Sequence, residues 1–155
     1  MKSKQKKLAR AQLDETLRRF EPLKTVGIPR KGWIRAIRDA LGMTGEQLAR
    51  RLNVNQQRVA RIEQDEKLRK VTLNTMQTAA EALDCVFVYG LVPRTSLEQT
   101  VRNQAKLVAG KRTARSNQMM RLEMQELSQE EKKKALRDLV TEITETMPKS
   151  LWDEE

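Results

Sequence analysis

Four side chains near the middle of the chain have the chemistry to read a DNA base edge. Gln56, Gln57 and Arg58 form a continuous polar run, and Arg61 follows about one helical turn later. A glutamine amide pairs bidentately with adenine N6 and N7, and an arginine guanidinium with guanine O6 and N7. Cations suited to phosphate oxygens flank this run at Arg35, Arg38, Arg50, Arg51, Lys67, Arg69 and Lys70. Thr44 and Asn55 stand at candidate helix starts, where short polar side chains and free N–H groups favour phosphate. Lys2, Lys4, Lys6 and Lys7 add N-terminal charge that suits phosphate or minor-groove contact. An ordinary helical hairpin with a wet polar face would carry some of the same residues. What favours DNA is the charge skew and the capping described below.

Other chemistries lack their parts. The 155 residues include no histidine, the commonest general base and metal ligand, and one cysteine, Cys85, too few for a disulfide or a thiolate cluster. The acidic pairs Asp14/Glu15, Asp65/Glu66 and Glu130/Glu131 are adjacent, and adjacent helical residues do not share a face. Six scattered glycines form no phosphate loop, and five aromatics are too few for a base-stacking platform. The expectation is a protein that is not an enzyme and uses no cofactor or metal. No apolar run approaches the roughly 20 residues that span a bilayer, and the basic N-terminus has no signal-peptide core. That predicts a cytoplasmic protein with no membrane partner, associated with the nucleoid when bound to DNA.

Charge is unevenly spread. Residues 1–70 carry a net +11 of the total +10, residues 94–121 carry +6, and residues 122–155 carry −5. A polyanion-facing N-terminal part and a tail with a different job follow from that asymmetry.

The elements that must position the base-reading residues are two short helices and a tight turn. Thr44 with Gln47 makes a capping box that opens one helix over 44–52. Asn53 tolerates the left-handed conformation that ends it, and Asn55 caps the next helix over 55–63. Leu48, Leu52, Val54, Val59 and Ile62 would pack the pair. Upstream, a helix is expected over 4–20 on Leu8, Leu13, Leu17 and Phe20, and another from Trp33 to Gly42, with Trp33 as a core anchor. Downstream comes a helix over 72–83, and then the one strand signal, residues 85–92, closed by Pro93. A lone strand must find a partner for its backbone groups. The simplest is its own copy, which makes Val86, Phe87, Val88, Tyr89 and Leu91 dimerisation residues. Ser96 opens a helical stretch continuing through Met120 and Met124, and the Ser128 capping box opens a last helix ended by Pro148. Leu151 and Trp152 then sit in an acidic tail, as an anchor for a partner or folded back on Leu136, Val140 or Ile143.

Residues 44–63, TGEQLARRLNVNQQRVARIE, resemble the Cro/C1-type helix-turn-helix (XRE family) of phage repressors, and the likeness extends over about 31–92. By that resemblance Gln56 and Gln57 read bases. Asn53 replaces the usual turn glycine, and Gly45 stands where some of these repressors have a phosphate-contacting glutamine. A longer resemblance, through GWIRAIRDALGMTGEQLARRL, TAAEALDCVFVYGLVP and MPKSLWDE, is to the family called mobile mystery protein A. It implies a helix-turn-helix protein encoded beside a Fic-domain protein, in an arrangement resembling a toxin–antitoxin module.

The resulting reading is a mostly α, lambda-repressor-like homodimer that binds double-stranded operator DNA. Residues 1–30 form a basic helix and linker, 31–92 the DNA-binding domain with its dimerisation strand, and 93–155 a helical extension and tail. In one version it is an autorepressing antitoxin that also touches a Fic-domain partner. In the other it is a DNA-only phage- or mobile-element-type repressor.

Overall fold

The computed structural model describes residues 2–123 and 127–153. In chain order its helices are α1 (Ser3–Arg18), α2 (Trp33–Ala40), α3 (Gly45–Leu52), α4 (Gln56–Lys67), α5 (Leu73–Ala82), α6 (Leu97–Leu122) and α7 (Gln129–Thr146). Two 3-10 turns lie at Glu21–Thr25 and Lys149–Trp152. Met124, expected to continue the packing row of α6, lies outside the described residues, as do the last two residues of the tail. The chain divides into two units, residues 22–90 and residues 1–21 with 91–155. The N-terminal helix therefore belongs with α6 and α7 and is not a separate arm.

In residues 22–90 the apolar spacing of each helix converges on Ile34, Leu48, Ala49, Val59, Ile62, Ala79 and Leu83, all buried. Ile37, Met43, Leu52, Val71 and Met76 pack around them. Burying several such side chains at about 1.5–3 kcal/mol each is the main force holding four short helices that would not be stable alone. Gly32, the residue that leads into α2, has φ +81°, a conformation glycine adopts without strain. The Glu66 carboxylate accepts from the N–H groups of Trp33 (2.6 Å) and Ile34 (3.0 Å), and a Cβ on Gly32 would stand 2.8 Å from it. Trp33 is thus fixed through its backbone, while its indole, expected in the core, is partly exposed. Helix α4 runs four residues past the expected end at 63, which is what carries Glu66 to the start of α2.

The strand expected over 85–92 is absent, and among the described residues there is no β-strand. Asp84 turns left-handed, and the Cys85 N–H donates to the Ala80 carbonyl at 2.8 Å, closing the end of α5. Residues 86–90 continue without a ladder partner, because no other described segment offers a strand edge. Val86 and Leu91 are 88% and 86% exposed, and the Phe87 and Tyr89 rings stack with centroids 5.9 Å apart.

In the other unit α6 packs along α7, and α1 packs on both. Val101, Ala105 and Ala109 recur every four residues on α6 and meet Val140 and Ile143 of α7. The small alanines let the two helices approach closely. Leu151 is 1% exposed and completes this core, and Gln104 Nε2 donates to its carbonyl at 2.9 Å. Leu151 is therefore a core residue and not a free anchor; Trp152 remains 52% exposed. Met147 ends α7 in the left-handed conformation, and Pro148 starts the turn that brings Leu151 inward. Helix α1 does not bury the leucines expected of it, since Leu8 and Leu13 are exposed. It contributes Arg10 and Asp14 instead. Arg10 Nε donates to Glu98 at 2.6 Å, and both Asp14 oxygens accept from the N–H groups of Leu97 and Glu98 at the start of α6. Near the N-terminus of α1, the Ser3 hydroxyl donates to the Glu145 carbonyl.

Candidate nucleic-acid interface

The base-reading candidates sit on a helix whose placement is over-determined. Thr44 Oγ accepts from the Gln47 N–H at 3.1 Å while Gln47 Oε1 accepts from the Thr44 N–H at 2.8 Å, the reciprocal capping box. Asn53 adopts φ 54°, ψ 45°, and the Val54 N–H reaches back to the Ala49 carbonyl at 2.9 Å. Asparagine does here what glycine does in related turns, since its short amide tolerates the left-handed region. Two residues later Asn55 Oδ1 accepts from the Arg58 N–H at 2.8 Å and starts α4.

Helix α4 then has two chemistries on opposite sides. Val59, Ile62 and Glu63 are buried, and Gln56, Gln57, Arg58 and Arg61 are exposed. Gln57 and Arg61 are four apart and Arg58 and Arg61 three apart, so they form one contiguous polar surface. Gln56 lies beside Gly45: its Cγ and Nε2 are each 3.7 Å from where a Cβ at that glycine would stand. Arg58 borders a shallow recess of about 130 Å³ with Val54 and the first turn of α5.

The flanking cations divide into three groups. Arg35, Lys67, Arg69 and Lys70 are exposed, with Arg69 in a left-handed turn just after α4. Arg50 and Arg51 are exposed but engaged: Arg50 pairs with Glu46 at 2.6 Å, and Arg51 Nη1 donates to the Ala82 carbonyl at 2.8 Å, tying α3 to the end of α5. Arg38 is not a phosphate ligand. Its side chain is largely buried, with Nε and Nη2 on the Glu63 oxygens at 2.7 and 3.2 Å, Nη1 on the Met43 carbonyl at 2.9 Å, and Asp39 Oδ1 3.3 Å from Nη1. The hydrogen bond to Glu63 raises its pKa above the ordinary arginine value, outweighing desolvation. Nearby, Asp39 is held below the usual carboxylate range, first by its hydrogen bond from Lys31 at 3.0 Å.

Glu63 and Glu66 are the positioning residues that sequence reasoning missed. A signal existed for Glu63, because Val59, Ile62 and Glu63 share the i, i+3, i+4 phase, which turns the carboxylate toward the core. Arg38 likewise follows Ile34 by four. Lys2, Lys4 and Lys7 are exposed on the first turns of α1 and belong to the unit of residues 1–21 with 91–155.

Residues 34–87 match the family model described as helix-turn-helix. That range contains α2 to α5 apart from the first residue of α2, the recognition surface, and the Arg38–Glu63 pair. The match supports a DNA-binding transcription regulator of the Cro/C1 type. No significant match is found among curated proteins or solved structures. Among the described residues no helix is long and apolar enough to cross a membrane.

Proposed function

We propose that the chain is a sequence-specific double-stranded DNA-binding repressor that acts in the cytoplasm on its own operator, with α4 in the major groove. One observation carries this reading. Gln56, Gln57, Arg58 and Arg61 are exposed on a helix started by the Asn55 cap and held on its other side by the largely buried Arg38–Glu63 pair. Thr44, Asn55, Arg35, Arg50, Arg51, Lys67, Arg69 and Lys70 are the phosphate contacts of this proposal. Footprinting on DNA upstream of the gene tests it. Gln57→Ala should cost about 1–3 kcal/mol at one base position, and Lys67→Ala should weaken all sequences alike and flatten the salt dependence. A sequence-independent loss for Gln57→Ala would overturn the assignment.

A second copy is part of the proposal, with the exposed apolar residues Val86, Val88, Tyr89 and Leu91, beside Phe87, as the pairing surface. A folded, operator-binding monomer at micromolar concentration would remove it. The antitoxin role is supported by the long resemblance to the mobile mystery protein A family. Co-purification with the product of an adjacent Fic-domain reading frame tests that role. Without such a neighbour the reading is a phage- or mobile-element-type repressor acting on DNA alone.

A further inference from the structure

We propose that a groove between α6 and the Lys149–Trp152 turn is a docking site for an acidic peptide segment of a protein partner, anchored by an apolar side chain. The inference is independent of the DNA reading, and neither groove wall includes a helix-turn-helix residue.

The groove follows from how α6 divides its faces. Val101, Ala105 and Ala109 are spent on α7. The neighbouring rows, Leu107–Lys111–Arg115 and Val108–Arg112, face a cavity of about 430 Å³ closed on the other side by Ser150 and Asp153. That is room for a few side chains of a bound segment. Leu107 is 63% exposed within it, an apolar surface left in water by the fold itself. Among the described residues the groove is lined by Lys111, Arg112 and Arg115 and by one acid, Asp153. Among the described residues no ion pair joins Lys111 or Arg112 to a carboxylate.

Charge complementarity selects the occupant. Lys111 and Arg112 favour a carboxylate-rich ligand, while Leu107 and Val108 favour an apolar side chain placed between the acids. A nucleic-acid backbone would use the cations but gains nothing from an apolar hollow, because phosphates and sugars offer little to fill it. The wall made by the turn is firm, since Leu151 is in the core and its carbonyl is held by Gln104.

Trp152 stands between two groove residues, Ser150 and Asp153, and makes the site readable. The chain has two tryptophans, so Trp33→Phe leaves Trp152 as the sole reporter. The probe is an eight-residue synthetic peptide with Leu-Phe flanked by three Glu or Asp residues on each side, titrated into the full-length Trp33→Phe protein. Saturable change in Trp152 emission is expected, with Lys111→Gln/Arg112→Gln binding about tenfold more weakly, as the loss of two charge contacts implies. Leu107→Ser should weaken it as well, and operator footprints of all three proteins should be unchanged. These are surface substitutions, and an unchanged helical circular-dichroism melt shows that each variant is folded. Equal binding of the Lys/Arg counterpart peptide would overturn the proposal. So would a response to non-operator duplex DNA in place of the peptide, or a concentration-dependent emission change without peptide that marks a second copy in the groove. Loss of footprinting with peptide binding intact would count against the repressor reading alone.

Discussion

The two units use the same pair of devices, and one uses them more completely. Each has a carboxylate from one helix capping the start of another, Glu66 on α2 and Asp14 on α6. Each also buries an arginine beside a glutamate. In residues 22–90 the Arg38 guanidinium is hydrogen-bonded at Nε, Nη1 and Nη2, and Glu63 is buried with it. In the other unit Arg10 has Glu98 on Nε and the Met147 sulfur on Nη1, while Nη2 is buried with no hydrogen-bond partner among the described residues. Glu98 is 46% exposed. A closed polar network specifies one geometry, whereas a partly satisfied one costs desolvation and fixes less. Under the proposed function the difference has a use, because base reading would need α4 held closely in place.

Trp33 and Trp152 fall in different units, so single-tryptophan variants report each unit's unfolding separately. The largest effect is expected at the closed network. Glu63→Ala takes two hydrogen bonds from the Arg38 guanidinium and leaves it only the Met43 carbonyl and the half-exposed Asp39, which should cost about 1.5–3 kcal/mol, seen as a lower midpoint in the Trp33 signal with the Trp152 signal unmoved. Operator affinity should fall with it. Arg38→Met/Glu63→Leu should recover most of the stability, because it removes both charges together. A double variant as unstable as Glu63→Ala would show that shape, and not charge, is what the pair supplies.

The capping carboxylates come next and should behave alike. Glu66→Ala frees the N–H groups of Trp33 and Ile34, and Asp14→Ala those of Leu97 and Glu98. Each should cost about 1–2 kcal/mol, the first in the Trp33 signal and the second in the Trp152 signal. An Asp14→Ala loss several times larger would mean that α1 is held to its unit chiefly by that cap.

The helix-turn-helix was legible because its determinants are local. The Thr44, Asn55, Thr72, Ser96 and Ser128 caps each bond three residues ahead, and Asn53 sets its own conformation. Arg38 was misassigned as a phosphate ligand because its partner is 25 residues away and a cation in a basic stretch looks solvent-facing. The long-range role of α1 was illegible for the same reason, with Arg10 and Glu98 separated by 88 residues. The β-branched run after Asp84 reads as a strand by composition, but a strand is a property of two segments, and the described residues supply one. Leu151 looked stranded after Pro148, yet that proline is what turns it back into the core.

The open network should be nearly indifferent to removal. Arg10→Met takes away an incompletely satisfied buried charge and leaves Glu98 able to reach water, so the change should stay within about 1 kcal/mol in the Trp152 signal. A loss matching Glu63→Ala would erase the contrast between the units.

The smallest effect is the titration of one carboxylate in each unit. Asp39 is held below its usual range by the hydrogen bond from Lys31, and Glu131 by accepting from the Ser128 N–H at 2.8 Å as the capping box of α7. A carboxylate whose folded pKa is depressed adds stability that is fully present above its unfolded pKa and is lost as pH falls through the folded one. Both side chains are exposed, so each contribution is modest. Asp39→Asn and Glu131→Gln keep an acceptor and remove the charge. The advantage of the wild-type protein over each variant should therefore hold at neutral pH and shrink from about pH 5 to about pH 3, for Asp39 in the Trp33 signal and for Glu131 in the Trp152 signal. Taking differences at each pH cancels the titration of every other group. An advantage that is the same at pH 7 and at pH 3 would mean that the amide, and not the missing charge, makes the variants differ.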